Sequence, residues 1–258
     1  MTDANSARDF DPRTVPIRPA ATVMIVRDAP ATDEHPTAGV EVFMLRRTLA
    51  AAFGSGMYVF PGGRVETSDG DDLETSHRLA AVRECFEEAG VLLARTSDGR
   101  HVADGHPALA ARHGVHDGSV DLLSLCAEHR LHPALDEMVW VSHWITPMGE
   151  SRRFDTRFYL VPAPVEQTSA HDDNETIDSL WVRPAEALAR QAAGELMMMP
   201  PTIKNLQFLS HFATVHDAIE HARTLPPPEC VLPRIRRDAD GRITGVAMPG
   251  DADYESLE

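Results

Sequence analysis

Three glutamates place the tightest limit on how this chain can fold. In the segment Arg83-Glu84-Cys85-Phe86-Glu87-Glu88-Ala89-Gly90-Val91, a helical repeat of about 100° per residue gathers Glu84, Glu87 and Glu88 within about a quarter-turn. Leu79, Val82, Phe86 and Ala89 fall on the opposite side. Like charges at these spacings repel by roughly 0.2–0.5 kcal/mol per pair, part of which Arg83 can offset through Glu87 one turn on. A sequence shaped only for helix stability would mix its charges better. One reading is a solvated acidic face; the other is a set of hard oxygen ligands. Pro61-Gly62-Gly63, just upstream, favours the second, because paired glycines let the backbone bend tightly and offer a carbonyl to a cation. The pattern predicts a helix over Glu74–Ala89 with Gly90 as its C-cap.

Strands are expected at Ala20–Arg27, Val40–Arg46, Met57–Phe60, Val91–Ala94, Met138–Thr146, Arg157–Pro162 and Ser179–Val182, from their apolar and β-branched content. Helices are expected at Ala108–His113, Val120–His129, Ala185–Ala193 behind Pro184, Ile203–Phe212 and Val215–Thr224, with Pro200-Pro201 breaking the chain. Thr67–Asp72 reads as a loop. Ile235-Arg236 and Ile243–Ala247 suggest a hairpin around Asp240-Gly241. The fold class is therefore α/β (α+β). Residues 1–17 read as a flexible tail, 18–225 as one domain with a helical insertion at about 100–135, and 226–258 as a C-terminal extension.

The chain has 258 residues, enough for a sizeable core, and 43% are hydrophobic against 25% charged, as in soluble globular proteins. No apolar run is long enough to span a bilayer. The polar N-terminus lacks a secretory signal, so a cytoplasmic location is expected. The terminal Ser256-Leu257-Glu258 is no peroxisomal address. A net charge of −16 speaks against a nucleic-acid partner but not against small phosphorylated substrates, whose bound divalent ion reverses the local field. Cys85, Cys126 and Cys230 fit no ligand spacing and read as small buried apolar side chains. His113, His116, His129 and His132 read as surface histidines. The run Leu196-Met197-Met198-Met199 reads as core, substrate pocket or, with the added helices, the contact of a homodimer.

The Arg83–Val91 segment resembles the second half of the Nudix box, G-x5-E-x7-R-E-U-x-E-E-x-G-U with U apolar, if Cys85 counts as U. The first half departs from it. Gly63 to Arg83 spans twenty positions where the box has fourteen, and the box's first Glu is replaced by Thr75. The resemblance implies a Nudix fold, a mixed β-sheet sandwiched between helices. It also implies hydrolysis of a diphosphate linkage with Mg²⁺ or Mn²⁺ on Glu84, Glu87, Glu88 and the Gly62 carbonyl. Arg83 would orient a glutamate, and Glu175 is the candidate later acid.

Leu45-Arg46-Arg47-Thr48, the Gly56–Gly63 stretch, Trp144-Ile145-Thr146-Pro147, Arg153–Phe158 and Trp181-Val182-Arg183-Pro184 are similar to the larger Nudix proteins related to the animal peroxisomal coenzyme A diphosphatase. That likeness implies coenzyme A or an acyl-CoA as the small-molecule diphosphate substrate, with Arg46, Arg153 and Arg157 (and Arg152) meeting its phosphates. ADP-ribose, NADH or another nucleotide diphosphate is the alternative substrate. A non-catalytic Nudix ligand-sensing module is the alternative of another class, although such modules often lose box carboxylates that this chain keeps.

Overall fold

The first strand, β1 (Ile17–Ala29), is buried on both faces from Ala20 to Val26 save for the half-buried Thr22, which explains why Thr22 is the one polar residue of that run. The computed structural model describes residues 11–33, 35–49, 54–169 and 176–257. Residues 1–10 of the expected tail and the candidate acid Glu175 lie outside them. β1 is followed by β2 (Gly39–Arg47), β3 (Tyr58–Val59), β4 (Gly62–Arg64) and the long helix α1 (Leu73–Ala89). Then come β5 (Ala94–Arg95), α2 (Arg112–His116), α3 (Leu122–Glu128), β6 (His132–Pro133), β7 (Val139–Ile145), β8 (Arg153–Pro162) and β9 (Thr176–Val182). The chain finishes with α4 (Pro184–Ala192), α5 (Pro200–Leu209), α6 (Val215–Thr224), β10 (Cys230–Val231), β11 (Arg234–Arg237) and β12 (Ile243–Ala247).

Among the described residues, eight strands form one mixed sheet with β1 at its centre. β8 runs parallel along one side of β1, from Ile17↔Arg153 to Val26↔Pro162. The other side is shared. β2 pairs antiparallel with β1 only over Val26–Ala29, and β4 takes over at Ala20–Thr22. Beyond that split β2 pairs with β9 and β3. Alternate β1 residues feed two cores. Ala21, Val23 and Ile25 face α1 and the inserted segment, while Met24 and Val26 face α4, α5 and α6. The sheet is thus sandwiched between helices, as expected for an α/β fold.

Several local expectations change. α1 is covered nearly all round after its first turn, with Glu87 and Glu88 buried, so its carboxylate face is not solvated. The strand expected at Val91–Ala94 shrinks to Ala94–Arg95. Leu92 instead meets a side chain: its N–H donates to Gln167 Oε1 (2.9 Å), and Gln167 Nε2 donates to the carbonyls of Leu92 (3.0 Å) and Val102 (2.8 Å). Pro200 and Pro201 do not break the chain but open α5, where a missing N–H costs nothing. β8 starts four residues earlier than expected, at Arg153, because Arg153–Arg157 continues the parallel pairing. Cys230 is exposed, on the edge strand β10 beside β7. In the methionine run Leu196 and Met198 are buried, and Met197 is exposed. β11 and β12 pair antiparallel around Asp240-Gly241.

Candidate active site

Where β1 and β2 part, β4 lays Gly62 and Gly63 against β1 at Thr22 and Ala21. Each glycine is required by a different neighbour. A Cβ on Gly62 would lie 2.5 Å from the Ala21 carbonyl oxygen and 2.6 Å from Thr22 Cα, both backbone. A Cβ on Gly63 would lie 2.3 Å from Glu84 Oε1. The missing side chain of Gly63 is therefore the space that the Glu84 carboxylate occupies. Glu88 meets the same ribbon, its Oε2 accepting the Gly62 N–H at 2.9 Å.

α1 delivers these side chains because both its ends are fixed. Asp72 caps its start by accepting the Thr75 N–H, and Gly90, at φ 71°, ends it with its N–H on the Phe86 carbonyl. Arg83 then ties the carboxylates together. Its Nη1 donates to Glu84 Oε1 (2.9 Å) and Glu87 Oε1 (3.1 Å), and its Nη2 donates to the Arg64 carbonyl (2.7 Å). The remaining fork, Nε and Nη2, grips Asp69 Oδ1 and Oδ2, both at 3.0 Å.

Asp69 and Glu88 are each only 3% exposed. Burial disfavours the Arg83 charge, but Asp69, Glu84 and Glu87 outweigh it and hold its pKa above the ordinary value. Burial also pushes the Glu87 carboxyl above its ordinary pKa, with Arg83 offsetting only part of the rise.

The structure brings together Arg83, Glu84, Glu87, Glu88 and Gly62. Among the described residues no three acidic, histidine or cysteine side chains already stand as a metal cluster; Arg83 lies between the Glu84 and Glu87 carboxylates instead. The three predicted substrate arginines are held by other neighbours. Arg46 alternates with Leu45 and so points to the face away from α1, its guanidinium carbon 5.9 Å from the Tyr58 ring centre. Arg153 is buried at the start of β8, its Nε on the Thr146 carbonyl (3.0 Å). Arg157 is stacked 4.4 Å over Trp140. Arg152 is exposed.

Three residues of the site escaped the sequence reading. Asp69 lay in the stretch taken as a loop, which forms a 3-10 turn at Thr67–Asp69 with the Glu66 N–H on Asp69 Oδ2 (2.8 Å). The available signal is the stretched spacing from Gly63 to Arg83 with no box glutamate, which leaves Arg83 to find another acid within it. Arg112 and His116 come from the helical insertion, and nothing in their spacing marked them. His116 is not a surface histidine: its Nδ1 is buried and lies 3.9 Å from Glu87 Oε2.

Residues 71–209 match the family model described as the NUDT19 Nudix domain. The chain is 29% identical to the acyl-coenzyme A diphosphatase NUDT19 of Gallus gallus over 310 aligned positions, covering 95% of this chain and 82% of that protein. It is 33% identical to the putative nudix hydrolase 7 of Caenorhabditis elegans over 218 positions, covering 83% and 69% respectively. Among solved structures it is similar to a NUDIX hydrolase from Alicyclobacillus acidocaldarius, with a TM-score of 0.72, 25% identity, and coverage of 84% of this chain and 100% of that one. With the matched segment spanning more than half of its length and the box carboxylates gathered on the glycine ribbon, the chain belongs to the NUDT19 Nudix domain family and is a Nudix hydrolase.

Proposed function

We propose that this enzyme hydrolyses the diphosphate of coenzyme A or an acyl-CoA, releasing an adenosine bisphosphate and a phosphopantetheine. The carrying observation is the convergence of Glu84 and Glu88 on the Gly62-Gly63 ribbon, with Glu87 held beside them through Arg83. The substrate class follows from the likeness to proteins named acyl-coenzyme A diphosphatases.

Nudix hydrolases generally use divalent metal ions. The residues present fit one: the donors are hard carboxylate oxygens, and Gly63 leaves the space one of them fills. Glu84, Glu87 and Glu88, with the Gly62 carbonyl, would hold Mg²⁺ or Mn²⁺. Such an ion neutralises diphosphate charge and makes water a better nucleophile. Arg83 keeps Glu84 and Glu87 in register for that role, and Asp69 keeps Arg83. Glu175 or a box glutamate would take the proton from the attacking water. Arg46, Arg153 and Arg157 remain the candidates for substrate phosphates, with Arg46 the one whose buried Nε has no hydrogen-bond partner among the described residues.

Hydrolysis of CoA, acetyl-CoA, ADP-ribose, NADH and dinucleoside polyphosphates with Mg²⁺ or Mn²⁺, with products identified by mass, tests the proposal. Phosphopantetheine and adenosine bisphosphate from CoA are expected as the fastest products. Faster cleavage of ADP-ribose or NADH would overturn the substrate. Tight binding of one compound without turnover of any would favour the ligand-sensing module. Light scattering of the same sample tests the expected homodimer.

A further inference from the structure

α1 ends against a residue of the inserted segment. Arg112, the first residue of α2, donates from Nε to the Glu87 carbonyl (3.0 Å) and from Nη2 to the Glu88 carbonyl (2.9 Å). These belong to the last turn of α1, whose carbonyls have no partner within the helix. A cation there also meets the negative end of the helix dipole. Gly90 serves this contact as well as the cap, because a Cβ at its position would lie 2.9 Å from Arg112 Nη1.

One turn further along α2, His116 brings its Nδ1 to 3.9 Å from Glu87 Oε2. That nitrogen is buried and has no hydrogen-bond partner among the described residues. Glu87 is therefore bonded by Arg83 at Oε1 and by Arg112 at the main chain, and His116 faces its Oε2. The segment also has apolar anchors of its own. Ala108, Val115, Leu122 and Leu125 already anchor it in the core shared with α1.

We propose that the inserted segment is a working part of the active site, with Arg112 the positioning residue for Glu87 and Glu88, and His116 a second positioning residue on Glu87. The guanidinium fork reaches two successive carbonyls at once, whereas a lysine ammonium on one stem serves them poorly together. The last turn of α1 carries two of the three candidate carboxylate ligands, so a loosened turn moves both. This inference rests on the reading that Glu84, Glu87 and Glu88 hold the divalent ion.

The experiment uses the full chain and two readouts: Mn²⁺ binding without substrate, followed by electron paramagnetic resonance, and steady-state kinetics on CoA. Arg112→Met is expected to weaken Mn²⁺ binding and lower kcat by roughly 10–100-fold, the range for groups that orient metal ligands, with KM for CoA changed far less. Arg112→Lys should recover part of both losses and carries the test if Arg112→Met does not fold. His116→Gln should weaken Mn²⁺ binding by a smaller factor. Arg112 variants that melt earlier but, well below melting, bind Mn²⁺ and turn over like the wild type would overturn the proposal. Glu87→Gln separates the two levels: if it leaves Mn²⁺ binding unchanged, the metal reading itself falls.

Discussion

Arg83 holds Asp69 with two parallel bonds, Nε to Oδ1 and Nη2 to Oδ2, each 3.0 Å long and shielded from water. Bidentate geometry makes this the most directional contact of the network. It links the 3-10 turn before α1 to the carboxylates themselves.

Asp69→Asn should therefore cost both stability and activity. Breaking a buried ion pair costs about 3–5 kcal/mol. Arg83 retains Glu84 and Glu87, which places the expected loss near the low end, about 3 kcal/mol. Urea denaturation measures it, and turnover should drop because Arg83 loses the partner that fixes its plane. Unchanged stability would show that Asp69 is replaceable by solvent.

Gly62→Ala and Gly63→Ala should separate fold from chemistry. At Gly62 the new methyl meets backbone, which cannot yield cheaply, so about 1–3 kcal/mol of overpacking cost is expected. At Gly63 it meets the end of the Glu84 side chain, which can swing aside. Gly63→Ala should melt close to the wild type and yet lose most of its turnover. Equal losses of melting temperature in the two variants would contradict the assignment.

Glu87→Gln should abolish metal-dependent turnover by at least about a hundredfold without lowering the melting temperature of the metal-free protein. Burial raises the Glu87 pKa despite Arg83, so its ionised carboxylate is not a net asset to folding. Calorimetry of the apo variant, beside CoA hydrolysis, gives both readings. A large fall in melting temperature would mark Glu87 as a structural residue.

Acid should destabilise the protein in part through His77, which lies within α1 with its Nδ1 on the Leu73 carbonyl (2.6 Å). Burial pushes its pKa below the ordinary value; Arg157 and His143 push the same way, while the Leu73 carbonyl and Asp155 oppose them. The unfolded imidazole binds its proton near pH 6.5 and the folded one only at lower pH, so stability falls as pH drops below about 6.5. The loss is complete once pH passes below the folded pKa. Melting temperatures between pH 7.5 and 5.5 should show a shallower slope in His77→Asn.

The sequence made the chemistry legible because the carboxylates, Arg83 and Gly90 lie within one helix, where spacing fixes direction. Regular elements followed for the same reason: α6 begins and ends where its periodicity puts it, at Val215 and Thr224. What stayed hidden depends on contacts between distant segments. Asp69 finds Arg83 only through the 3-10 turn, Arg112 reaches α1 from the insertion, and Gln167 stands in for a strand neighbour of Leu92. The directions of the candidate arginines stayed hidden for a related reason. The family likeness marked Arg46, Arg153 and Arg157, but strand alternation and register decide where each one points.

The parallel pairing of β1 with β8 has a consequence for the order of assembly. Ile17 waits for Arg153 and Val26 for Pro162, so the centre of the sheet closes only after nearly two-thirds of the chain has left the ribosome. Closing so long a loop before any pairing energy returns makes folding slow. Until then the central strand keeps one edge open, ready to pair with a neighbouring chain. A nascent chain truncated before Pro162 would hold that edge unpaired for as long as it lasts.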